Sequence, residues 1–465
     1  MRQACDRDFL LRGATARALY HDHAAALPHV GLYAPFSAER IAKNEPFSNI
    51  AELWLYGESA VIRAMRAMGV AQDVLAPDAS DYEKFSALCG CMYGLAGHPL
   101  YEQLHLELAR SLGCTLPICP AHCDEIFAVT ANRLTSPDLA PRAWLARMGA
   151  GRVFTVQDPA DTLPWHERIK DEGTAVAVAP VFRADAVLDV SRRGYAAYLG
   201  VLGEACGVQI RDLASLYRAL CVSLDRFCEM GCVLALHGAA SQGVFVRPDE
   251  YHAGKALSQL LAGERPSEQA CDLLRAQLCR FLGLEYVRRG IVMQVLLDDE
   301  PFAEHVANKR EYLEKSNTVC GVNAPMELGA FLAYLETQAA LPQVVLCATD
   351  PARDASLARV CAAFGSVDGI PRVWQGFAPS PYTDARGMRD RLRTFLQTVP
   401  AGALLPLFGD GFGTRLSVYC DVYRRLLCDL LGTLSESGAY ASDRATCAAL
   451  VKNACGGNAA RLLGE

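Results

Sequence analysis

Short apolar runs alternate with longer stretches of helical period along most of the chain. From about residue 150 the runs are RVFTV (152–156), TAVAVA (174–179), CVLAL (232–236), IVMQVLL (291–297), QVVLCA (343–348), RVWQG (372–376) and ALLPLF (403–408). Between them, strings such as LASLYRALCVSLDRF, ELGAFLAYLETQ, MRDRLRTFLQTV and YCDVYRRLLCDLL place apolar side chains at i, i+3, i+4 and i+7. Near-continuous apolar strands separated by helices predict parallel strands covered on both faces. PHVGLYAPFS (28–37) opens the series, with Ser37 as an N-cap for the helix that follows. Counting it gives eight strands, the number that closes a (β/α)8 barrel, so the fold class is α/β of TIM type. A doubly wound open sheet is the alternative. Pro406, inside the last run, removes one ladder donor.

The stretch 45–150 shows no strand pattern and reads as a large helical insertion between strands 1 and 2. Ser80 and Glu83 are spaced as a capping box, and Ser136-Pro137 as a cap followed by proline at the first helical position. Such an insertion is expected over the C-terminal face of the barrel, where it walls a site. The predicted organisation is an N-terminal helical segment, 1–27, followed by the barrel, 28–465.

Composition narrows the class. Apolar residues make up 51% of 465, which argues against disorder. No apolar stretch approaches the roughly 18 residues of a membrane helix, and the charged start MRQACDRDFLLR has no apolar signal core. A cytoplasmic protein with no membrane partner is expected. The net charge of −7, without a basic run, argues against nucleic acid. The 19 cysteines are scattered through apolar segments and read as reduced, buried thiols rather than a disulfide framework. Cys114, Cys119, His122 and Cys123 have soft-ligand spacing, yet no second ligand pair closes a zinc site.

In a barrel, chemistry collects at the C-terminal strand ends. Those ends carry Tyr33, Gln157-Asp158, Arg183, His237, Asp298-Asp299, Thr349-Asp350, Gln375-Gly376 and Gly409-Asp410. The set suits proton transfer on an anionic small molecule, with Arg183 as carboxylate clamp and His237 or Asp410 as acid or base. The structural alternative for His237 is a bond to a neighbouring loop carbonyl; for the others it is a cap or salt bridge. GDGFG (409–413) resembles a backbone anion cradle and leaves a sugar-phosphate reading open. His21-Asp22-His23 matches a metal-binding H-x-H, but on a helix side chains two apart diverge by roughly 200°.

Several strings in order resemble the uronate isomerase (glucuronate isomerase) family of the amidohydrolase superfamily. They are DFLL, RALYHDHA, RAMRAMGV, DASDYEKF, HPLYEQLHLEL, DEIF, QDPADTLPWH, FLGLEYVRRG, YRRLLCDLLG and VKNACGGNAARL, and they span almost the entire chain. The resemblance implies a barrel enzyme that converts D-glucuronate to D-fructuronate, and D-galacturonate to D-tagaturonate, by moving a proton between C2 and C1. It also implies a divalent metal such as zinc, held by an H-x-H pair after strand 1 and an aspartate after strand 8.

At the matching positions this chain carries Tyr33 and Pro35 in place of the H-x-H pair. Ser59, Ala60 and Val61 replace a His, Tyr and Lys motif, and Leu296 replaces the histidine after strand 5. Phe412 replaces an arginine, and Asn323-Ala324 replace an Asp-Arg pair. Arg183, His237 and Asp410 remain. The metal is therefore not expected to bind in the family's way. Two main readings follow: a divergent hexuronate isomerase using Asp410, His237 and Tyr33, with Arg183 gripping the carboxylate, or an inactive homologue that binds a ligand or partner. Homo-oligomerisation is left open.

Overall fold

Seven strands, the last five of them paired in parallel, belong to one sheet whose spatial order equals chain order. They are β1 (Leu32–Tyr33), β2 (Arg152–Gln157), β3 (Ala177–Arg183), β4 (Leu234–His237), β5 (Val292–Leu297), β6 (Val344–Ala348) and β7 (Val373–Gln375). The computed structural model describes residues 6–56, 59–238, 245–297, 324–378, 383–406, 413–440 and 443–464. Two compact units divide the chain: Met1–Val153 with Gly173–Ala177 and Pro379–Asn458, and Phe154–Glu172 with Val178–Ala378 and Ala459–Glu465. Among the described residues no helix is long and apolar enough to cross a membrane.

Helices link successive strands: Pro164–Glu172 after β2, Leu213–Glu229 after β3, Glu268–Arg289 after β4, Ala324–Thr337 after β5 and Asp354–Ala362 after β6. Their ends are written locally. Asp212 accepts the backbone N–H of Ser215 in a capping box, Ser267 accepts that of Ala270, and Gly290 ends the 268–289 helix with φ +66°. Every strand-helix-strand step is thus a right-sized crossover for parallel pairing. The run expected at 174–179 is displaced: β3 begins at Ala177 and continues through Pro180 to Arg183. Thr174 is instead taken up in a turn, its hydroxyl donating to the Val176 carbonyl at 2.8 Å. Of the run expected at 403–408, Ala403 ends a 3-10 turn and residues 407–412 lie outside the described residues.

Side-chain alternation sorts the sheet of the second unit into two faces. Phe182, Ala235, Met293, Val295, Leu297, Val344, Leu346, Ala348 and Val373 join the core formed with Leu216, Leu220, Phe227, Leu278, Leu282 and Tyr286 of the helices. The opposite parity puts Val181, Arg183, Leu234, Leu236, Gln294, Leu296, Val345, Cys347 and Trp374 on the inner face. Register agrees: Arg183 pairs with Leu236, Leu236 with Gln294, Gln294 with Val345, and Val345 with Trp374. A Cβ at Gly376 would sit 2.5 Å from Cys347 Sγ, so this inner position admits only glycine. Two histidines are caught on the helix side. His166 Nε2 meets Thr155 Oγ1 at 2.7 Å, and His237 Nε2 meets the Tyr286 hydroxyl at 2.9 Å.

Between β1 and β2 the chain is helical, as expected, with helices Ala38–Lys43, Ile50–Leu55, Ser59–Ala67, Asp81–Cys91, Pro99–Arg110, Cys123–Leu134 and Pro141–Arg147. Ser37 caps the first, and the Ser80–Glu83 capping box forms. Ser136-Pro137 opens only a 3-10 turn, the next α-helix starting at Pro141. The described cysteines are thiols and mostly buried, and burial pushes those of Cys232, Cys279 and Cys420 up to about 12.

The long helix Leu416–Glu436 organises the first unit through buried charge. Asp429 has no exposed side-chain surface; it accepts the Arg12 backbone N–H at 2.6 Å, Arg12 Nη2 at 3.0 Å and a bond from Arg389. Arg424 donates to the carbonyls of Leu27 and Pro28, and Arg425 to those of Arg7 and Phe9. A Cβ at Gly432 would lie 2.7 Å from the Ala16 nitrogen, so helix Ala14–Leu19 approaches backbone to backbone. That helix continues as a π-helical turn, Tyr20–Ala24, which contains the H-x-H histidines. His21 bonds Asp8 at 2.8 Å, and Asp22 accepts from Arg444 at 2.5 Å. His21 is thus engaged in structure.

Two outcomes follow. Asp429→Asn strands two arginines against a buried site and is expected to lower unfolding stability in urea by about 3 kcal/mol. Burial holds His166 and His237 each down at about 4, against 6.5 ordinarily. Both are neutral in the folded protein, while the unfolded chain takes up protons below pH 6.5. Their contribution is complete above that pH and is lost as pH falls toward 4, with no further loss below it. His237→Gln is expected to shrink the stability drop between pH 7 and 4.5 by about 2 kcal/mol, read from urea curves at the two pH values.

Candidate active site

Arg183 is the last residue of β3 and has inner-face parity, opposite to Phe182. Its Nε donates to Asp185 Oδ2 at 2.6 Å, and Asp185 Oδ1 accepts the Gly238 backbone N–H at 2.7 Å. The side chains of Arg183 and Asp185 are 21% and 19% exposed. One carboxylate thus joins the end of β3 to the residue after β4, and the ladder continues there through Ala184 N–H to Leu236 O at 3.1 Å.

His237 ends β4 but shares parity with Ala235, so its ring lies against helix Glu268–Arg289. Its ring meets Tyr286 edge-on at 87°, and both residues are buried. Desolvation keeps the imidazole neutral, only partly offset by the Asp185 charge. The expected acid–base histidine is therefore engaged from the helix side, by a tyrosine hydroxyl rather than a loop carbonyl. Asp185 and Tyr286 were not singled out by sequence reasoning. Asp185 lies two residues past the strand-end arginine, in FRAD, which was a readable signal; the Tyr286 contact joins positions 49 apart and had none.

In the first unit, Tyr33 is buried in β1 with 2% of its surface exposed, and Pro35 is half-buried in the bend that follows. Ala60 and Val61 are buried. Asp410, Phe412, Asp298, Asp299 and Asn323, and GDGFG as far as Phe412, lie outside the described residues. The chain just after them is held firmly. Glu107 is wholly buried; it accepts Trp54 Nε1–H at 2.8 Å and a bond from the Thr414 hydroxyl. Burial raises the Glu107 carboxyl, against Thr414, Arg415 and Trp54, which lower it. Arg415 Nη1 donates to Gln103 Oε1 at 3.2 Å.

Among the described residues the donors do not suit the divalent ion that the resemblance implies. On that resemblance its two histidine positions fall on Tyr33 and Pro35, and a proline side chain has no ligand atom to offer. Leu296 is an inner-face leucine, and His237 is turned to Tyr286. Among the described residues no three His, Cys, Asp or Glu side chains come together as a metal group, those of 114–123 included.

Comparison with known proteins supplies the relationship. The family model for glucuronate isomerase matches residues 1–463. A uronate isomerase of Lachnoclostridium phytofermentans is 29% identical over 448 residues, 95% of either chain. One of Bacillus licheniformis is 28% identical over 467 residues, 99% of this chain and 97% of that one. Among solved structures, uronate isomerase of Thermotoga maritima superposes with TM-score 0.82 at 24% identity, covering 99% of both chains. Glucuronate isomerase of Caulobacter crescentus gives 0.83 at 19% identity, covering 99% and 97%. These two likenesses establish the α/β barrel fold, and the match along the whole sequence shows that the chain belongs to the glucuronate isomerase family.

Proposed function

We propose that this protein binds hexuronates and interconverts their aldose and ketose forms. The observation that carries the reading is Arg183, an inner-face arginine at a strand end, held through Nε by Asp185. A guanidinium pairs with a carboxylate in a planar, two-pronged geometry, which suits the one group that separates a uronate from a neutral sugar. Isomerisation then needs a base that carries the C2 proton to C1, a donor to O1 while enediolate charge develops, and loss of the O2 hydroxyl proton as the C2 ketone forms, which restores the proton given to O1. Asp410 is assigned the base, and Tyr33 the donor. His237, neutral and bonded to Tyr286, is assigned the fixing of the β4 end. No step is routed through a metal.

A second reading, a barrel that binds hexuronates without turning them over, is favoured by Tyr33, Pro35 and Leu296 at positions where the resemblance places imidazoles. One experiment separates the two. Purified protein is incubated with D-glucuronate and D-galacturonate, with and without added zinc or manganese, and ketose formation is followed. Turnover above that of Asp410→Asn is the expected result. Thermal stabilisation by uronates with no ketose formed would select the binder. In either case Arg183→Met is expected to weaken uronate binding by about a hundredfold, since a charge-assisted pair is lost.

A further inference from the structure

We infer that Asp185 is a positioning residue: by tying the ends of two neighbouring strands together it sets the direction in which Arg183 receives an anionic sugar. The inference rests on the reading of Arg183 as partner of the hexuronate carboxylate. Both oxygens of Asp185 are committed, Oδ2 to Arg183 Nε at 2.6 Å and Oδ1 to the Gly238 N–H at 2.7 Å. Because the guanidinium is a rigid plane with five donors at fixed angles, gripping Nε fixes the orientation of the whole group.

The grip has a firm base. Arg183 and Leu236 are paired in register, so Asp185 spans adjacent strands rather than reaching across a loop. From the other face of the sheet, His237 is held by Tyr286 on helix Glu268–Arg289, which steadies the residue just before Gly238. Both side chains of the pair are about one-fifth exposed, enough to meet a ligand and too little for water to dominate their geometry.

Two effects of Asp185 on an anion oppose each other, and their balance gives a test by sign. Its negative charge repels a carboxylate, so a purely electrostatic role means that Asp185→Asn binds uronates more tightly. Positioning means the reverse, because an amide NH2 only donates, so one of the two donors, Arg183 Nε–H or Gly238 N–H, loses its acceptor and the guanidinium is no longer tied to the β4 end. Binding of D-glucuronate and D-galacturonate is measured by calorimetry on the full-length protein, with D-glucose and D-galactose as neutral comparators. Wild type, Asp185→Asn, Asp185→Glu, Arg183→Met and the Arg183→Met/Asp185→Asn double variant are compared, each checked for an unchanged thermal midpoint.

Asp185→Asn is expected to weaken uronate binding about tenfold, to leave neutral sugars unaffected, and to cost nothing further in the Arg183→Met background. Asp185→Glu keeps the charge but displaces the carboxylate by one methylene, and is expected to weaken uronates as well. Unchanged or tighter uronate binding by Asp185→Asn, or an equal loss with Arg183 absent, overturns the inference while leaving Arg183 as the carboxylate partner. A wild-type chain that binds neither uronate overturns that reading and the inference with it. Should Asp185→Asn fail to fold, Asp185→Glu decides: wild-type affinity overturns positioning.

Discussion

A side chain in a parallel strand faces either the helix layer or the inside of the barrel, and neighbours along the strand must take opposite sides. Here that alternation decides which polar groups are available for chemistry. Phe182 goes outward to the helices, so Arg183 goes inward. Ala235 goes outward, so His237 two residues later goes outward too, where Tyr286 waits. Shifting either strand by one residue would reverse every assignment and drive Phe182 or Ala235 out of the core, so the core locks the site. The reach of Asp185 from one strand end to the next is possible only because register is fixed in this way.

The inner face that results is unusual for a site built around a cation. Its middle carries Leu236, Gln294, Leu296, Val345 and Trp374, all buried, with Arg183 as the charged group among them. Polar capacity is present in modest form: Gln294 has no exposed surface and its amide reaches Cys347 Sγ at 3.8 Å. Such a lining favours an anion held by one directional partner and packed against apolar walls. Charge developing in a reaction would have to be met by hydrogen-bond donors in a medium where each counts for more than in water.

Much of the fold was legible because its signals are local. Apolar runs, caps at Ser37 and Ser80, and helical spacing all act within a few residues, and six of the eight expected strands stand close to where the runs place them. The shifted one, β3, was obscured by Pro180, which reads as a stop although the strand carries it. The H-x-H pair at residues 21–23 falls in the π-helical turn Tyr20–Ala24, where His21 bonds Asp8. The site was harder to read. Arg183 could be named from its place after an apolar run, but the role of His237 depends on which face it takes, and Tyr286 lies on a helix 49 residues away. Glu107 with Thr414 and Arg415 links positions some 300 apart in the chain. Contacts of that range leave no periodic trace.

The two kinds of buried polar group in this chain are under different physical constraints. Asp429 and Arg389 are mutual: removing the arginine leaves a fully buried carboxylate with one partner fewer. Histidines that serve only a bound ion have no such obligation to the fold. Replacing them by a tyrosine such as Tyr33 or a leucine such as Leu296 adds apolar burial and leaves no charge behind. A barrel can therefore keep its helices, its register and its long-range ion pairs while the donors at its strand ends change. Arg183 stands between these cases, since its Nε is held by Asp185 within the fold.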